Sequence, residues 1–211
     1  MSVRTLAKII PGRTAFFMCD MQTRFRSVIH QFDHVVATAN KMLKIATILR
    51  VPVVVTEQNP LKLGKTLPEL AVQPLGALHV GTFEKTLFSM ITPQLEELLN
   101  SPEHNNVKSI VLFGIESHVC VLQTTLDLLE RGYDVHVLAD GVSSCNKEEV
   151  PWALARMRQA GAQITTSESA AFQLMVDSDH PDFRPFAAAI KEEKENTAKC
   201  LDALLGSQVP M

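Results

Sequence analysis

The sequence predicts an α/β fold, a three-layer α-β-α sandwich around a mostly parallel six-stranded sheet. Three observations carry that expectation. Short apolar runs recur along the chain, segments with helical spacing separate them, and Gly132 and Gly161 close two of those segments where a left-handed residue is wanted. Parallel neighbours need crossover connections, and right-handed crossovers put helices on both faces of a sheet.

The first strand is TAFFMC, residues 14–19, apolar throughout as in a strand covered on both faces. Over residues 33–50, Val36, Ala39, Met42, Leu43, Ala46 and Leu49 recur at helical spacing. Pro52 then leads into the β-branched Val53, Val54 and Val55, a second strand that should stop at Thr56. The stretch 57–76 holds three Pro and two Gly and reads as a long surface excursion, of the kind that is usually functional or mobile. A short strand is expected near 77–81, a helix over about 92–99, and a clear strand, SIVLFGI, at 109–115. A helix over about 118–131, a strand at 134–139, a helix over about 147–160 and a last strand at 163–166 complete the alternation. Beyond Pro181, one or two terminal helices carry a solvated charge cluster at 191–195. Residues 1–211 thus read as one domain, with a core over about 12–180 and a helical tail over about 182–211.

Composition narrows the function. Twenty Lys plus Arg oppose 23 Asp plus Glu for a formal net charge of −3, so no strong field gathers nucleic acid or an anionic membrane. The expected partner is a small molecule. Four scattered cysteines, Cys19, Cys120, Cys145 and Cys200, form no C-x-x-C pair and fit a reducing compartment. No apolar run is long enough for a membrane span, and the N-terminus lacks a secretory h-region, so a cytoplasmic location is expected. Arg4, Lys8 and Arg13 without an acid in the first 19 residues resemble a mitochondrial presequence, the lesser reading because the core pattern already begins at Thr14.

In an open parallel sheet, ligands gather beyond the carboxyl ends of the strands. The polar residues there are Asp20 and Gln22; Glu57 and Gln58; Glu84 and Lys85; Glu116, Ser117, His118 and Cys120; and Asp140. Cys120 falls in the first turn of an expected helix, where unpaired N–H groups favour a thiolate. Asp20 is placed to accept a proton and Lys85 to balance charge. Gln22, Phe25, Glu57, Ser117 and His118 are pocket candidates, with Phe88 as a possible apolar wall. Cys19 should point away from Asp20, because side chains alternate along a strand, and so reads as packing.

Three segments, FFMCDMQTRF, FEKTLFSM and GIESHVCVLQTTLDLLERGYDVHVLADGVSS, together resemble the isochorismatase-like family of cysteine hydrolases, which includes nicotinamidases and carbamoyl-sarcosine amidases. The likeness runs over about residues 12–180 and implies a Rossmann-like six-stranded sandwich. Carried over by motif, it implies Asp20 as general base, Lys85 as charge-stabilising partner and Cys120 as nucleophile. It also implies an oxyanion hole from the backbone N–H groups of Glu116 and Cys120, a cis peptide between Ile115 and Glu116, and a homo-oligomer, dimer or tetramer. The segment TEQNPLKLGK departs from metal-dependent nicotinamidases, which carry an Asp and two His there, so neither a metal nor another cofactor is expected. The expected activity is metal-independent cleavage of a C–N amide bond in a small molecule. The competing class is a non-catalytic binding or assembly protein on the same fold; a redox role for Cys120 is a third reading.

Overall fold

The computed structural model describes residues 6–206. Arg4 and the last five positions of the expected tail lie outside the described residues.

Six strands form one sheet: β1 (Thr14–Cys19), β2 (Val53–Gln58), β3 (His79–Lys85), β4 (Ser109–Ile115), β5 (Asp134–Ser143) and β6 (Gln163–Thr165). Their order is β3-β2-β1-β4-β5-β6, and every pairing is parallel. The period-two alternation of β1 divides the core. Phe16 and Met18 join one apolar cluster; Ala15, Phe17 and Cys19 join the other.

On the first face lie α1 (Phe32–Leu49), α6 (Ser167–Met175), α7 (Phe183–Glu192) and α8 (Lys194–Leu205). There the rings of Phe16 and Phe113 meet edge to face with centroids 6.2 Å apart. On the second face lie α3 (Pro93–Asn100), α4 (Leu122–Glu130) and α5 (Glu149–Ala160), which bury Leu95, Leu128 and Met157 against Phe17, Ile110 and Leu112. The expected three layers are therefore present.

Several boundaries differ from the sequence reading. Strand β2 continues two residues past Thr56, and the stretch 57–76 is not an irregular excursion. It holds α2 (Pro60–Leu63) and the start of a 3-10 segment at Gln73–Leu78, and Leu67, Leu70 and Leu75 anchor it in the core. Strand β3 starts at His79 and ends on Lys85; as a half-exposed edge strand, it lacks the apolar run that marks its neighbours. Strand β5 runs on to Ser143 through a register irregularity opposite Leu112 and Gly114, so Asp140 lies inside a strand instead of beyond its end. Its carboxylate accepts from the Ser167 backbone N–H at 2.7 Å and from the Ser167 hydroxyl, holding the first turn of α6. Helix α6 escapes the sequence pattern because only Thr166, its cap, separates it from β6.

The tail forms two helices that belong to the first layer. Phe186, Cys200 and Leu204 are buried, Lys41 Nζ donates to Thr197 Oγ1 at 2.9 Å, and Lys44 pairs with Glu193 at 2.6 Å. Part of the charge cluster thus docks onto α1 and is not simply solvated.

Candidate active site

The strand order reverses direction between β1 and β4, and the crevice beyond such a point is where open α/β sheets bind ligands. Asp20 follows β1, Lys85 ends β3, and Cys120 lies in the turn that follows β4. Asp20 has a left-handed backbone (φ 51°), which interrupts the alternation of β1 at the strand's exit.

Asp20 and Lys85 form a buried ion pair, Nζ to Oδ2 at 2.7 Å. The second carboxylate oxygen, Oδ1, accepts from Thr56 Oγ1 at 2.7 Å. Lys85 also donates to Gln58 Oε1 at 2.6 Å and to the backbone carbonyls of Phe88 and Leu87 at 2.9 and 3.2 Å. Burial works against the ammonium, yet the neighbouring Cys19, Asp20 and Cys120 groups outweigh it and hold Lys85 above its ordinary pKa. The lysine is a fixed cation with oxygen acceptors around it.

Cys120 sits in a single π-helical turn, Ser117–Val121, which precedes α4. That geometry replaces the expected α-helical first turn; such turns recur at functional sites. The Glu116 carbonyl accepts from the N–H groups of both Val119 and Val121 at 3.1 Å, and Thr124 Oγ1 donates to the Cys120 carbonyl at 2.6 Å. The peptide bond between Ile115 and Glu116 is cis, as the family resemblance implies. Cys120 retains 6% exposure, so the thiol is close to fully enclosed.

Cys19 is buried as expected, in the same core cluster as Cys120. Burial first, then the neighbouring Cys120, push the Cys19 thiol well above its ordinary pKa. The backbone of Cys19 in turn lies against Gly114 of β4, where a Cβ would stand 2.2 Å from the Cys19 carbonyl oxygen.

The pocket candidates divide. Ser117 is buried beside Cys120, and its hydroxyl has no hydrogen-bond partner. His118 Nδ1 lies 2.9 Å from Ser144 Oγ. Gln22 donates to the Gln58 and Gly64 carbonyls at 3.0 and 2.6 Å and accepts from the Gln58 N–H at 2.8 Å, so its amide clips β2 to the segment after it. Glu57 accepts from the Thr66 N–H and hydroxyl at 2.7 and 2.8 Å and pairs with Lys65 at 3.1 Å. Although burial raises its pKa, these partners hold it below the ordinary value. Phe25 packs against the core cluster on the first face, away from the Cys120 cluster, and Phe88 is half exposed. Cavities of about 500 and about 450 Å³ lie elsewhere, lined by residues such as Leu43 and Glu69, and His30 and Lys147; neither is lined by Asp20, Lys85 or Cys120.

Three participants escape the sequence reading or are undervalued by it: Thr56 and Gln58, which hold Asp20 and Lys85, and Cys19. The placement of Thr56 and Gln58 at the end of β2, next to β1 and β3, is the signal that marks them.

Residues 14–169 match the isochorismatase domain. The chain is 45% identical over 191 residues to the Xenopus laevis protein named isochorismatase domain-containing protein 2, covering 90% of each. A solved Caenorhabditis elegans structure titled MAR1 ribonuclease is similar with a TM-score of 0.80 and 39% identity, covering 97% of this chain and 98% of that one. The Escherichia coli YcaC product, titled an octameric hydrolase of unknown specificity, superposes with a TM-score of 0.73 over 94% of this chain and 98% of its own; its 20% identity speaks for the fold alone. By domain match, identity and architecture together, the chain belongs to the isochorismatase family.

Proposed function

We propose that this isochorismatase-family protein is a metal-independent cysteine hydrolase that cleaves a C–N amide bond in a small molecule. The observation that carries this reading is the buried Asp20–Lys85 pair beside the enclosed Cys120 thiol. In the proposed cycle, Asp20 takes the thiol proton, and the Cys120 sulfur attacks the amide carbon. The carbonyl oxygen becomes an oxyanion that accepts from the backbone N–H groups of Glu116 and Cys120. The C–N bond then breaks, the amine leaves with the proton from Asp20, and a thioester remains. Water attacks the thioester, Asp20 takes and returns a proton, and the acid departs with the thiol restored. Lys85, tied to Asp20, keeps a positive charge beside these proton transfers.

RNA cleavage is a second reading, favoured by the ribonuclease title of the 39% identical neighbour. Against it stand the net charge of −3 and a central cation already paired with Asp20. Screening small amides and single-stranded RNA with the wild type and Cys120→Ala in parallel separates the readings. Amide turnover lost in Cys120→Ala supports the thiol mechanism. Amide turnover that survives overturns it. RNA cleavage alone favours the second reading, and no turnover with an unreactive Cys120 returns the chain to the binding class.

Self-association as a dimer or tetramer belongs to the same proposal, supported by Leu87 and Phe88, each 52% exposed next to Lys85. Light scattering that returns a monomer mass overturns it. A cytoplasmic location is likewise proposed, supported by four free cysteines, two of them buried in one core cluster; fractionation of cells expressing the tagged protein tests it. No helix among the described residues is long and apolar enough to cross a membrane.

A further inference from the structure

Beside the Cys120 turn, on the strand-exit side of β4 and β5, lies a cluster whose side-chain ligand atoms take no part in the proposed proton transfers. One ligand atom each from Glu116, His118 and Cys145 lie within 4.8 Å of one another. We propose that Glu116, His118 and Cys145 form a three-ligand site for a zinc-class divalent cation, set next to the reactive turn and distinct from the position after β2 where metal-dependent nicotinamidases carry their ligands.

The chemistry of the set is selective. One thiolate, one imidazole and one carboxylate match the donors zinc prefers and leave a fourth position for water. Ligand atoms at zinc distances in a tetrahedron stand roughly 3.3–3.8 Å apart, so a side-chain adjustment of about 1 Å closes the set. Two of the three side chains are already oriented by the protein. The Cys145 backbone N–H donates to Glu116 Oε2 at 2.8 Å, which ties the carboxylate to the segment that bears the thiol. His118 Nδ1 meets Ser144 Oγ at 2.9 Å; when that nitrogen donates, Nε2 carries the lone pair a cation needs. The Cys145 sulfur lies within 4.8 Å of a Glu116 carboxylate oxygen. Glu116 and His118 are half-buried, whereas Cys145 is exposed, which gives an ion a path of entry.

Binding exchanges the thiol proton for the metal: Cys145–SH plus a divalent ion yields Cys145–S–metal and one proton released to solvent, with no electron transferred. Hydrolysis does not need this ion. Glu116 belongs to the π turn's entry, so occupancy fixes the backbone from which the proposed oxyanion donors come.

Cobalt is the probe, because a thiolate bound to Co²⁺ gives a near-ultraviolet charge-transfer band that zinc removes on displacement. In the full chain, one equivalent of Co²⁺ should give this band and release one proton, and one equivalent of Zn²⁺ should abolish both the band and Co²⁺ binding. The band should persist in Cys120→Ser, disappear in Cys145→Ser and in His118→Ala, and require about tenfold more Co²⁺ in Ser144→Ala. Circular dichroism identical to wild type establishes that the exposed Cys145→Ser variant is folded. Absence of the band in wild type, its survival in Cys145→Ser, or its loss in Cys120→Ser overturns the proposal. None of these readouts depends on amide turnover.

Discussion

Lys85 Nζ lies 2.7 Å from Asp20 Oδ2, and neither side chain exposes more than 1% of its surface. Sixty-five positions separate them in sequence, and β2 separates their strands in the sheet. Two full charges so deeply enclosed require each other, because removal of one strands the other.

Asp20→Asn should therefore destabilise the protein by about 3–5 kcal/mol, since Lys85 keeps its charge with its carboxylate gone. Asp20→Asn combined with Lys85→Met should recover part of that loss. Urea denaturation of the three proteins checks this. A double variant no more stable than Asp20→Asn alone contradicts the assignment.

Gly114→Ala should cost about 3 kcal/mol or more, for two reasons that act together. The backbone at Gly114 has φ of 116°, and an added Cβ would meet Cys19 backbone atoms at 2.2 to 2.9 Å. Thermal melts should show a large fall or no soluble protein. A melting temperature equal to wild type argues against this packing.

His136 gives a stability term that depends on pH. It is buried, its Nε2 has no partner, and burial pushes its pKa from 6.5 down to about 4 despite a hydrogen bond with the Lys8 backbone. Between those values the unfolded chain binds the proton that the folded chain refuses, so stability falls as pH drops from 6.5 towards 4. The loss approaches about 3 kcal/mol near the lower limit. Denaturant titrations from pH 7 to pH 4 should show this decline, and His136→Gln should flatten it. Equal slopes in both proteins would rule out the assignment.

Gln22→Ala removes three hydrogen bonds, two to the Gln58 backbone at the end of β2 and one to the Gly64 carbonyl in the segment that follows. A loss of about 1–3 kcal/mol is expected, with faster amide exchange concentrated at residues 58–66. Exchange that accelerates evenly over the whole sheet instead shows that the amide has no local clamping role.

Strands β1 and β4 are legible in the sequence because both faces are covered, so no position after the opening Thr14 and Ser109 is polar and the ends are abrupt. The edge strand β3 is half exposed, and its polar positions conceal where it begins. Helix α6 is hidden for a different reason, since one cap residue after β6 leaves no turn signal between them. The excursion at 57–76 misleads through its prolines; Leu67, Leu70 and Leu75 nonetheless find core positions, although no single regular element spans them.

The strand-end rule brings Asp20, Lys85 and Cys120 onto one short list, and the family likeness gives each a role. The same rule lists Asp140, which fails because a bulged pairing lets β5 continue through it. Alternation places Cys19 correctly in the core with Ala15 and Phe17, but it does not reveal that Cys120 belongs to the same cluster. Thr56 and Gln58 bring no distinctive chemistry of their own. Their importance comes from the groups they hold, which only the assembled sheet reveals.

The placement of the seam between β1 and β4 has a practical consequence. A cut in the exposed turn around Pro102 to Asn106 would leave the acid and ammonium on one fragment and Cys120 on the other. Each fragment would carry three strands and one bare edge, and neither would hold all three groups. Turnover regained on mixing would then count reassembled molecules, which makes this fold a candidate split reporter.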